Sequence, residues 1–388
     1  MKVVYIQHTT SMSGAGKALL NIIEQMIEKK VEVHIVLPDN RGMLYNHLSK
    51  LDVHCYIFPV TSWVWPATNS LRDWCLFPYR FLRKFRNSLL FYDKLDKLIR
   101  ELKPEIIHTN VGVIHLGQIL ARKYSIPHVW HLREYQDLDF NYHAFPSKKH
   151  FKKMLSEPNC FPVAITQGVY EHHHLTSNLN AKVIYDGVFK QSKTPEIQLN
   201  KENCFLFVGA ISEGKGTTEL VQSFAKIAKE YPEIELWIAG SGNKSYLDNL
   251  KRIINHYSIN QQVKFLGHRN DIYQLMSKAK ALFVPSRFEG FGFITAEGMY
   301  NGCLVVGKNT AGTKEQFDNG LKYTGREIGI RYDDADELTG IMRGIGDERI
   351  EKYIETLEIA QQVVSKLYTV ERNANELYNF YKNILKKA

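Results

Sequence analysis

Short apolar runs and longer periodic segments alternate through the first half of the chain. Runs of four to six apolar residues are typical of buried strands, and apolar residues at every third or fourth position are typical of amphipathic helices. The pattern predicts strands at 3–8, 31–37, 53–58, 105–109, 127–132, 162–166 and 182–185, with helices at 16–29 and 114–123. Strands that alternate with helices in this way indicate a parallel, doubly wound α/β sheet.

A second alternating series follows a polar stretch at 190–203, which contains Pro195 and lacks periodicity. The pattern predicts strands at 204–208, 234–239, 263–266, 281–284 and 303–307, and helices at 217–230, 244–256, 271–277 and 294–301. We therefore predict two Rossmann-like domains, at 1–195 and 196–369, followed by a helix at 370–386. Because ligands bind at the carboxyl ends of such strands, we expect both domains to face a central cleft.

Composition narrows the class of protein. A length of 388 residues suits two domains, and 44% hydrophobic residues with 12% aromatics exclude disorder of the whole chain. The net charge of +9 and the pI near 9.0 favour an anionic partner, which is a nucleotide phosphate, an anionic lipid or a nucleic acid. Five scattered cysteines without a Cys-x-x-Cys pair suggest buried thiols in a reducing compartment.

The N-terminus leads directly into a predicted strand, so we expect no signal peptide. No apolar run reaches the roughly 18 residues that a membrane span needs. We therefore expect a cytoplasmic protein, and peripheral attachment to the inner face of the cell membrane stays open.

The stretch 283–297 carries the most specific chemical pattern. A predicted strand ends at 285–286, a glycine loop holds Glu289, and the following helix holds Glu297. A helix N-terminus beside glycines presents unpaired backbone N–H groups that suit a phosphate, and carboxylates accept hydrogen bonds from sugar hydroxyls. Two glutamates at this spacing are common, but the whole fifteen-residue context favours a nucleotide-sugar site over an ordinary loop with solvated glutamates.

This stretch resembles the signature of the retaining glycosyltransferases of family 4, which have the GT-B fold. In that family two glutamates separated by seven residues follow a Pro-Ser strand end with Gly-Phe-Gly between them, as Glu289 and Glu297 do here. The resemblance implies that Glu289 binds hydroxyls of the donor sugar and Glu297 binds the donor ribose. The donor diphosphate would then lie against Gly290, Phe291, Gly292, Phe293, Ile294 and Thr295.

Lys215 is the candidate cation for that diphosphate, since it precedes a predicted helix in the stretch 207–216. The stretch is similar to the family's Val-Gly-Arg-Leu…Lys-Gly segment, whose arginine and lysine hold the donor phosphates. Lys215 matches the lysine, whereas Ala210 stands at the arginine position. Alanine at this position removes a charge-assisted contact of roughly 1.5–3 kcal/mol. It leaves open whether the donor is bound in the family's geometry and whether the chain is fully active. A solvated loop lysine is the alternative.

The loop after the first predicted strand contains Gly14 and Ala15. It is not a P-loop, because Ser11 stands at the first glycine and Ala18 at the magnesium-binding position. The loop is similar to the family's Gly-Gly-Ala loop, which closes over the donor phosphate and the acceptor. The resemblance makes Gly14 and Ala15 candidates for donor binding, with a plain strand-to-helix turn as the alternative.

Two histidines also match positions of the family. His131 ends a predicted strand, where the family often carries a histidine near the reacting sugar, so the resemblance adds it to Glu289 and Lys215 as a catalytic candidate. His128 competes for that position, and a structural role for either histidine stays open. His268 follows the strand at 263–266, where the family holds the nucleobase, and is a candidate for base contact.

We expect neither a catalytic metal nor a cofactor, with the nucleoside diphosphate sugar as co-substrate. The histidines at 172–174 point in different directions if they are helical, so a surface turn is the preferred interpretation. Asp137 and Asp139 have the spacing of the metal-binding Asp-x-Asp of another glycosyltransferase fold but lack its context.

The segment 63–103 combines Trp63, Trp65 and Trp74 with a basic cluster of Arg80, Arg83, Lys84 and Arg86. Apolar residues at 82, 85, 89, 95, 98 and 102 recur near helical spacing. Two interpretations stay open. The helix lies on an anionic membrane surface, or it is a core helix with a solvated basic face.

The whole pattern predicts a GT-B, family-4-like retaining glycosyltransferase of the hexosyl type. It would move a sugar from a nucleoside diphosphate to a glycan or lipid-linked acceptor, in cell-surface polysaccharide synthesis. Two alternatives stay open: a non-catalytic nucleotide-sugar-binding subunit, suggested by Ala210, and a nucleotide-sugar epimerase. We expect no nucleic-acid partner, because the basic residues lack a nucleic-acid motif.

Overall fold

A computed structural model describes residues 1–66, 68, 71–191 and 194–387 of the chain. Positions 67, 69 and 70 of the segment 63–103, and positions 192 and 193 of the predicted linker, lie outside the described residues. The chain divides into two compact units. Unit 1 comprises Met1–Lys190 and Val370–Ala388, and unit 2 comprises Gln191–Thr369. The division falls within the polar stretch predicted as the linker, ahead of position 195.

Unit 1 contains a seven-stranded parallel sheet with the spatial order β3-β2-β1-β4-β5-β6-β7. Its strands are β1 (Lys2–Ile6), β2 (Glu32–Leu37), β3 (His54–Ile57), β4 (Ile106–Thr109), β5 (His128–Leu132), β6 (Cys160–Ala164) and β7 (Lys182–Val183). Its helices before unit 2 are α1 (Gly14–Glu28), α2 (Met43–Leu48), α3 (Leu71–Leu102), α4 (Leu116–Lys123), α5 (Asp137–Phe140), α6 (Lys148–Leu155) and α7 (Gln167–His172). Strands β1 and β4 are neighbours, so the winding of the sheet reverses between them.

Unit 2 contains a six-stranded parallel sheet with the order β10-β9-β8-β11-β12-β13. Its strands are β8 (Glu202–Val208), β9 (Glu235–Ala239), β10 (Val263–Gly267), β11 (Ala279–Val284), β12 (Leu304–Lys308) and β13 (Ile330–Tyr332). Its helices are α8 (Thr217–Ile227), α9 (Lys244–His256), α10 (Ile272–Lys278), α11 (Phe293–Tyr300), α12 (Ala311–Thr324), α13 (Ala335–Asp347) and α14 (Ile354–Leu367). Both faces of the central strands are covered, which explains why these strands are almost wholly apolar.

The last helix, α15 (Val370–Lys387), packs in unit 1. Its apolar face contributes Leu377, Tyr381 and Ile384 to the core that also holds Val3 and Leu19. The period of buried residues along α15 is that of an amphipathic helix, which places its charged residues in solvent.

Helix α3 has two halves with different environments. Phe91, Leu95 and Ile99 in its second half are buried in the core of unit 1. Between Leu71 and Leu89, large apolar side chains at helical spacing face solvent, and we call them the α3 stripe: Leu71, Trp74, Leu82, Phe85 and Leu89. Their exposed fractions run from 53% to 87%. Among the helices of the described residues, none is long and apolar enough to cross a bilayer.

Candidate active site

The sheet of unit 2 reverses its winding between β8 and β11. The chain proceeds from β8 outwards through β9 to β10, returns to β11 beside β8, and continues through β12 to β13. In open parallel sheets, ligands bind outside the carboxyl ends of the strands at such a switch point. The turns that follow β8 and β11 carry Lys215 and Glu289, so the topology places these two candidate residues at one location.

The turn after β8 depends on a glycine. Gly216 has a φ of +70°, and a Cβ atom built on it would lie 2.1 Å from the carbonyl oxygen of Pro285. The backbone N–H of Arg287 donates to the carbonyl oxygen of Gly214 at 3.2 Å. Any residue larger than glycine at 216 would separate the two turns, so Gly216 allows Lys215 to approach the loop after β11.

Lys215 and Glu289 form an ion pair, with Nζ 2.6 Å from Oε1. The two side chains are 34% and 18% exposed, so the pair is partly shielded from water. Arg287 brings a second cation to the same turn, since its Nη2 lies 3.4 Å from Glu213 Oε1. Sequence reasoning missed Arg287, although its position two residues before Glu289 in the same loop was the available signal.

The loop from Glu289 to α11 is held by α12. Gln316 Nε2 donates to the carbonyl oxygens of Phe291 and Gly292 at 2.7 and 2.9 Å, and the N–H of Gly312 donates to the carbonyl oxygen of Glu289 at 2.9 Å. Gly292, with a φ of +86°, is the N-cap of α11 and supplies no side-chain acceptor. The first N–H groups of α11 therefore keep their capacity for an anion. Sequence reasoning missed Gln316 and Gly312, because α12 itself was not predicted.

Glu297 lies on α11 and is only 4% exposed. The hydroxyl of Tyr273, on α10, donates to Glu297 Oε1 at 3.2 Å. Burial, followed by the charge of Glu297, raises the pKa of Tyr273 above its ordinary value, so the hydroxyl stays protonated. His268 is exposed in the turn between β10 and α10 and stands five residues before Tyr273 in the chain.

The candidates of unit 1 lie near the switch point of its own sheet. Gly14 begins α1, and the carbonyl oxygen of Ala15 accepts a hydrogen bond from Asn110 Nδ2 at 3.1 Å. Asn110 follows β4, which pairs with β1, so this bond joins the loop after β4 to the first turn of α1 at the reversal of the sheet.

His131 belongs to a buried polar cluster of unit 1. Arg133 donates from Nη2 to His131 Nδ1 at 3.3 Å and holds the carboxylate of Asp186 at 2.6 and 2.7 Å. Burial, and then the charges of Arg133 and His108, lower the pKa of His131 well below its ordinary value. His131 is therefore a neutral imidazole. The competing residue His128 is also buried and bonds through Nε2 to Thr109 Oγ1 at 2.8 Å.

The possible metal ligands are dispersed. Within the ranges that the structure describes, no three His, Cys, Asp or Glu side chains lie close enough together to hold a metal ion. The surface-turn interpretation of 172–174 is wrong for His173, which is buried and donates from Nε2 to the carbonyl oxygen of Glu134 at 2.9 Å. His172 bonds to Asp137 at 2.7 Å.

Comparisons with known proteins agree with this architecture. The sequence model of the family "Glycosyl transferases group 1" matches residues 189–345, and that of "Glycosyltransferase Family 4" matches residues 12–157. HepE of Anabaena, solved in complex with UDP and glucose, superimposes with a TM-score of 0.75 at 20% identity, over 98% of each chain.

Two curated relatives cover most of the chain. The capsular polysaccharide biosynthesis glycosyltransferase CapH of Staphylococcus aureus is 21% identical over 328 residues, which are 79% of this chain and 82% of CapH. The N-acetyl-alpha-D-glucosaminyl L-malate synthase of Bacillus anthracis is 20% identical over 396 residues, which are 97% of this chain and 95% of the relative.

The two parallel sheets match solved glycosyltransferases with the GT-B fold, and the predicted fold class is confirmed. The two family matches together cover more than half of the chain. The chain belongs to the group 1 glycosyltransferases of family 4, as the glutamate motif predicted. The protein is therefore a transferase, with relatives in polysaccharide biosynthesis.

Proposed function

We propose that the protein transfers a hexose from a UDP-sugar to a hydroxyl group of a glycan or lipid-linked acceptor, with retention at the anomeric carbon. The observation that carries the proposal is the Lys215–Glu289 pair beside the N-terminus of α11. A cation, uncapped backbone N–H groups and a carboxylate at one switch point match the diphosphate and the hydroxyls of such a donor.

The choice of donor is supported by solved relatives. Three structures of HepE contain UDP, UDP with glucose, or UDP-glucose. Uridine diphosphate is therefore the first nucleotide to test on this chain. Glu297, the second glutamate of the motif and the acceptor of the Tyr273 bond, would bind the ribose. His268, exposed in the turn before α10, would contact the base.

The chemical step is the departure of the diphosphate. Lys215 and the first N–H groups of α11 stabilise the negative charge that develops on the leaving phosphate, and such preorganised stabilisation is usually the largest catalytic contribution. Arg287 supplies the second positive charge that Ala210 does not. Glu289 accepts hydrogen bonds from hydroxyls of the donor sugar. The resemblance to the family assigns Gly14 and Ala15 to the donor phosphate and His131 to the reacting sugar, and these assignments stay predictions. With two cations at the site, the reaction needs no metal.

We also propose that the protein works at the inner face of the cell membrane in polysaccharide synthesis. The α3 stripe is an exposed apolar surface of the kind that marks an interaction site, and Arg83 and Arg86 flank it. An apolar stripe with basic neighbours suits an anionic lipid surface. A lipid-linked acceptor would be reached from that position.

The experiment that tests the function is a transfer assay with UDP-glucose, UDP-galactose and UDP-N-acetylglucosamine. Each donor is incubated with octyl glycosides as acceptors, and proton NMR reads the anomeric configuration of the product. We expect transfer from at least one donor, with an α-linked product from the α-linked donor. A β-linked product would contradict retention, and the absence of both transfer and UDP binding would contradict the proposed activity.

A further inference from the structure

Unit 1 contains a cavity of about 230 Å³ beyond the carboxyl end of β5. Its walls include Trp65, Tyr135, Tyr142 and Phe151, and its polar side includes Asp137 and Lys148. The volume exceeds the roughly 30 Å³ that one water occupies in the liquid, and it lies below the roughly 300–1,000 Å³ of pockets for drug-sized ligands. The cavity therefore suits one small ring.

The aromatic wall is held in place by several contacts. The indole N–H of Trp65 donates to the carbonyl oxygen of Pro146 at 3.2 Å, and its ring packs on Phe145 at 4.7 Å and on Phe81 at 6.0 Å between centroids. The backbone N–H of Trp65 donates to the carbonyl oxygen of His143 at 2.8 Å. A ligand that stacks on Trp65 would thus meet a ring that is already fixed, which lowers the entropy cost of binding.

The polar side has hydrogen-bond capacity but little net charge. Lys148 Nζ lies 2.9 Å from Asp137 Oδ2, while Oδ1 accepts from His172 and from the backbone N–H of Leu138. Partial burial opposes ionisation of Asp137, but the bonds from Lys148 and His172 prevail and lower its pKa. A carboxylate offers about four acceptor positions, so one remains on Oδ2, and Lys148 keeps donors of its own.

A cavity lined by a fixed aromatic wall and a neutralised polar pair is complementary to a ring that has an apolar C–H face and hydroxyl groups on its edge. The paired charges give no net attraction for an anion, and a hydrocarbon chain would leave the spare acceptor of Asp137 and the spare donors of Lys148 unused. We propose that this cavity binds one neutral hexopyranose ring of the acceptor, stacked on Trp65, with its hydroxyls bonded to Asp137 and Lys148. The assignment to the acceptor rests on the proposed function, whereas sugar binding by the cavity does not.

The test is saturation-transfer NMR on the full chain with methyl α- and β-glycosides of glucose, galactose, mannose and N-acetylglucosamine, without donor. We expect at least one glycoside to bind the wild type, and at least tenfold weaker binding to Trp65→Ala and to Tyr142→Ala. Trp74→Ala is the matched control, because Trp74 is an exposed tryptophan of unit 1 that does not line the cavity. UDP binding is measured by calorimetry on the same samples.

The outcomes separate the two proposals. No glycoside bound to the wild type, or equal binding to the wild type, Trp65→Ala and Tyr142→Ala, would overturn the cavity assignment. The cavity assignment would also be overturned if octanoate or inorganic phosphate bound in this cavity and no methyl glycoside did. If a glycoside binds as expected but UDP does not bind and the transfer assay shows no product, the cavity assignment stands and the proposed function fails. If UDP binds and no glycoside does, the cavity assignment fails and the proposed function stands.

Discussion

Lys215 and Glu289 are 74 positions apart in sequence, yet Nζ and Oε1 are 2.6 Å apart. The contact exists because β8 and β11 are neighbours in the sheet and because Gly216 lets the two following turns touch. The pair brings the cation and the carboxylate of the candidate donor site together. Its consequences can be tested residue by residue.

Lys215→Ala should weaken UDP binding about tenfold or more. A hydrogen bond to a charged group contributes roughly 1.5–3 kcal/mol, and each 1.4 kcal/mol is about a factor of ten in affinity. Calorimetry measures the affinity, and the wild type should also lose affinity faster than the variant as salt rises. Lys226→Ala is the matched control, since Lys226 forms an exposed pair with Asp336 in the same unit. Equal effects of the two substitutions would refute the role of Lys215.

Glu297→Gln should lower the affinity for UDP about tenfold while leaving the thermal midpoint nearly unchanged. Glutamine keeps the shape and the bond from Tyr273 but loses the charged acceptor for a ribose hydroxyl. Glu297→Ala should lose more affinity and some stability, because Glu297 is buried. If calorimetry shows that both variants bind every nucleoside diphosphate as tightly as the wild type does, Glu297 does not contact the nucleotide.

Sugar transfer should persist in excess chelator. In the proposed function, Lys215 and Arg287 supply positive charge to the donor diphosphate, so we expect that no divalent cation is required there. The assay is the transfer reaction after dialysis against EDTA, with and without added magnesium or manganese. Complete loss of activity in EDTA, reversed by either metal, would contradict metal independence.

The protein should float with anionic vesicles through the first half of α3. Only part of the basic cluster faces lipid in this account, because Arg80 pairs with Asp73 at 2.6 Å and Lys84 donates to the carbonyl oxygen of Val64. We therefore expect Arg83→Glu with Arg86→Glu to abolish flotation, since each basic residue near an anionic surface contributes about 1 kcal/mol.

The apolar part of the same surface needs its own variant, Leu82→Ser with Phe85→Ser, which should also stop flotation. The charge control is Lys229→Glu with Lys251→Glu, two exposed lysines of unit 2 that give the same change in net charge. Flotation on phosphatidylglycerol vesicles is compared with flotation on phosphatidylcholine. If all four proteins float equally, or none floats, α3 has only a solvated face.

Glu134→Gln should stabilise the protein at pH 8 more than at pH 5. Burial, and next the charge of Asp139, raise the pKa of Glu134 to about 8 from its ordinary value of 4.5. Between these pH values the folded chain holds a proton that the unfolded chain releases. The free energy of unfolding therefore falls as pH rises through this window.

Glutamine stays neutral at every pH, so Glu134→Gln should not lose stability as the pH rises. Each kcal/mol of unfolding free energy regained at pH 8 should raise the thermal midpoint by about 2–4 °C. Glu101→Gln is the control, because Glu101 is 61% exposed. A difference in midpoint between variant and wild type that does not change with pH would show that Glu134 titrates normally.

Much of the fold could be predicted because buried parallel strands and amphipathic helices leave strong patterns. The helix predicted at 244–256 is α9, Lys244–His256, and the other predicted strands and helices of unit 2 lie within three residues of observed ones. Helix α12 was missed because it contains Gly312 and Gly320 and carries few apolar residues. For α3, the sequence shows apolar residues at helical spacing. That spacing is the same whether the apolar face of the helix packs on the core or is exposed to solvent, so the exposure of the α3 stripe could not be predicted.

The candidate site could be predicted only in part. Glu289, Glu297 and Lys215 were found through local motifs at strand ends. Contacts that depend on strand order could not be found in this way. The proximity of Lys215 to Glu289 requires β11 to lie beside β8, and the bonds of Gln316 to the glycine loop require α12.

The central claim is that UDP binds at the switch point between β8 and β11, and hydrogen–deuterium exchange of the full chain with and without saturating UDP tests it most directly. We expect slower exchange in peptides covering 212–217 and 286–300, and unchanged exchange in α13 of the same unit. The UDP concentration is one that calorimetry shows to be saturating. The account would be contradicted if exchange were unchanged in both stretches, or if protection were confined to other parts of unit 2.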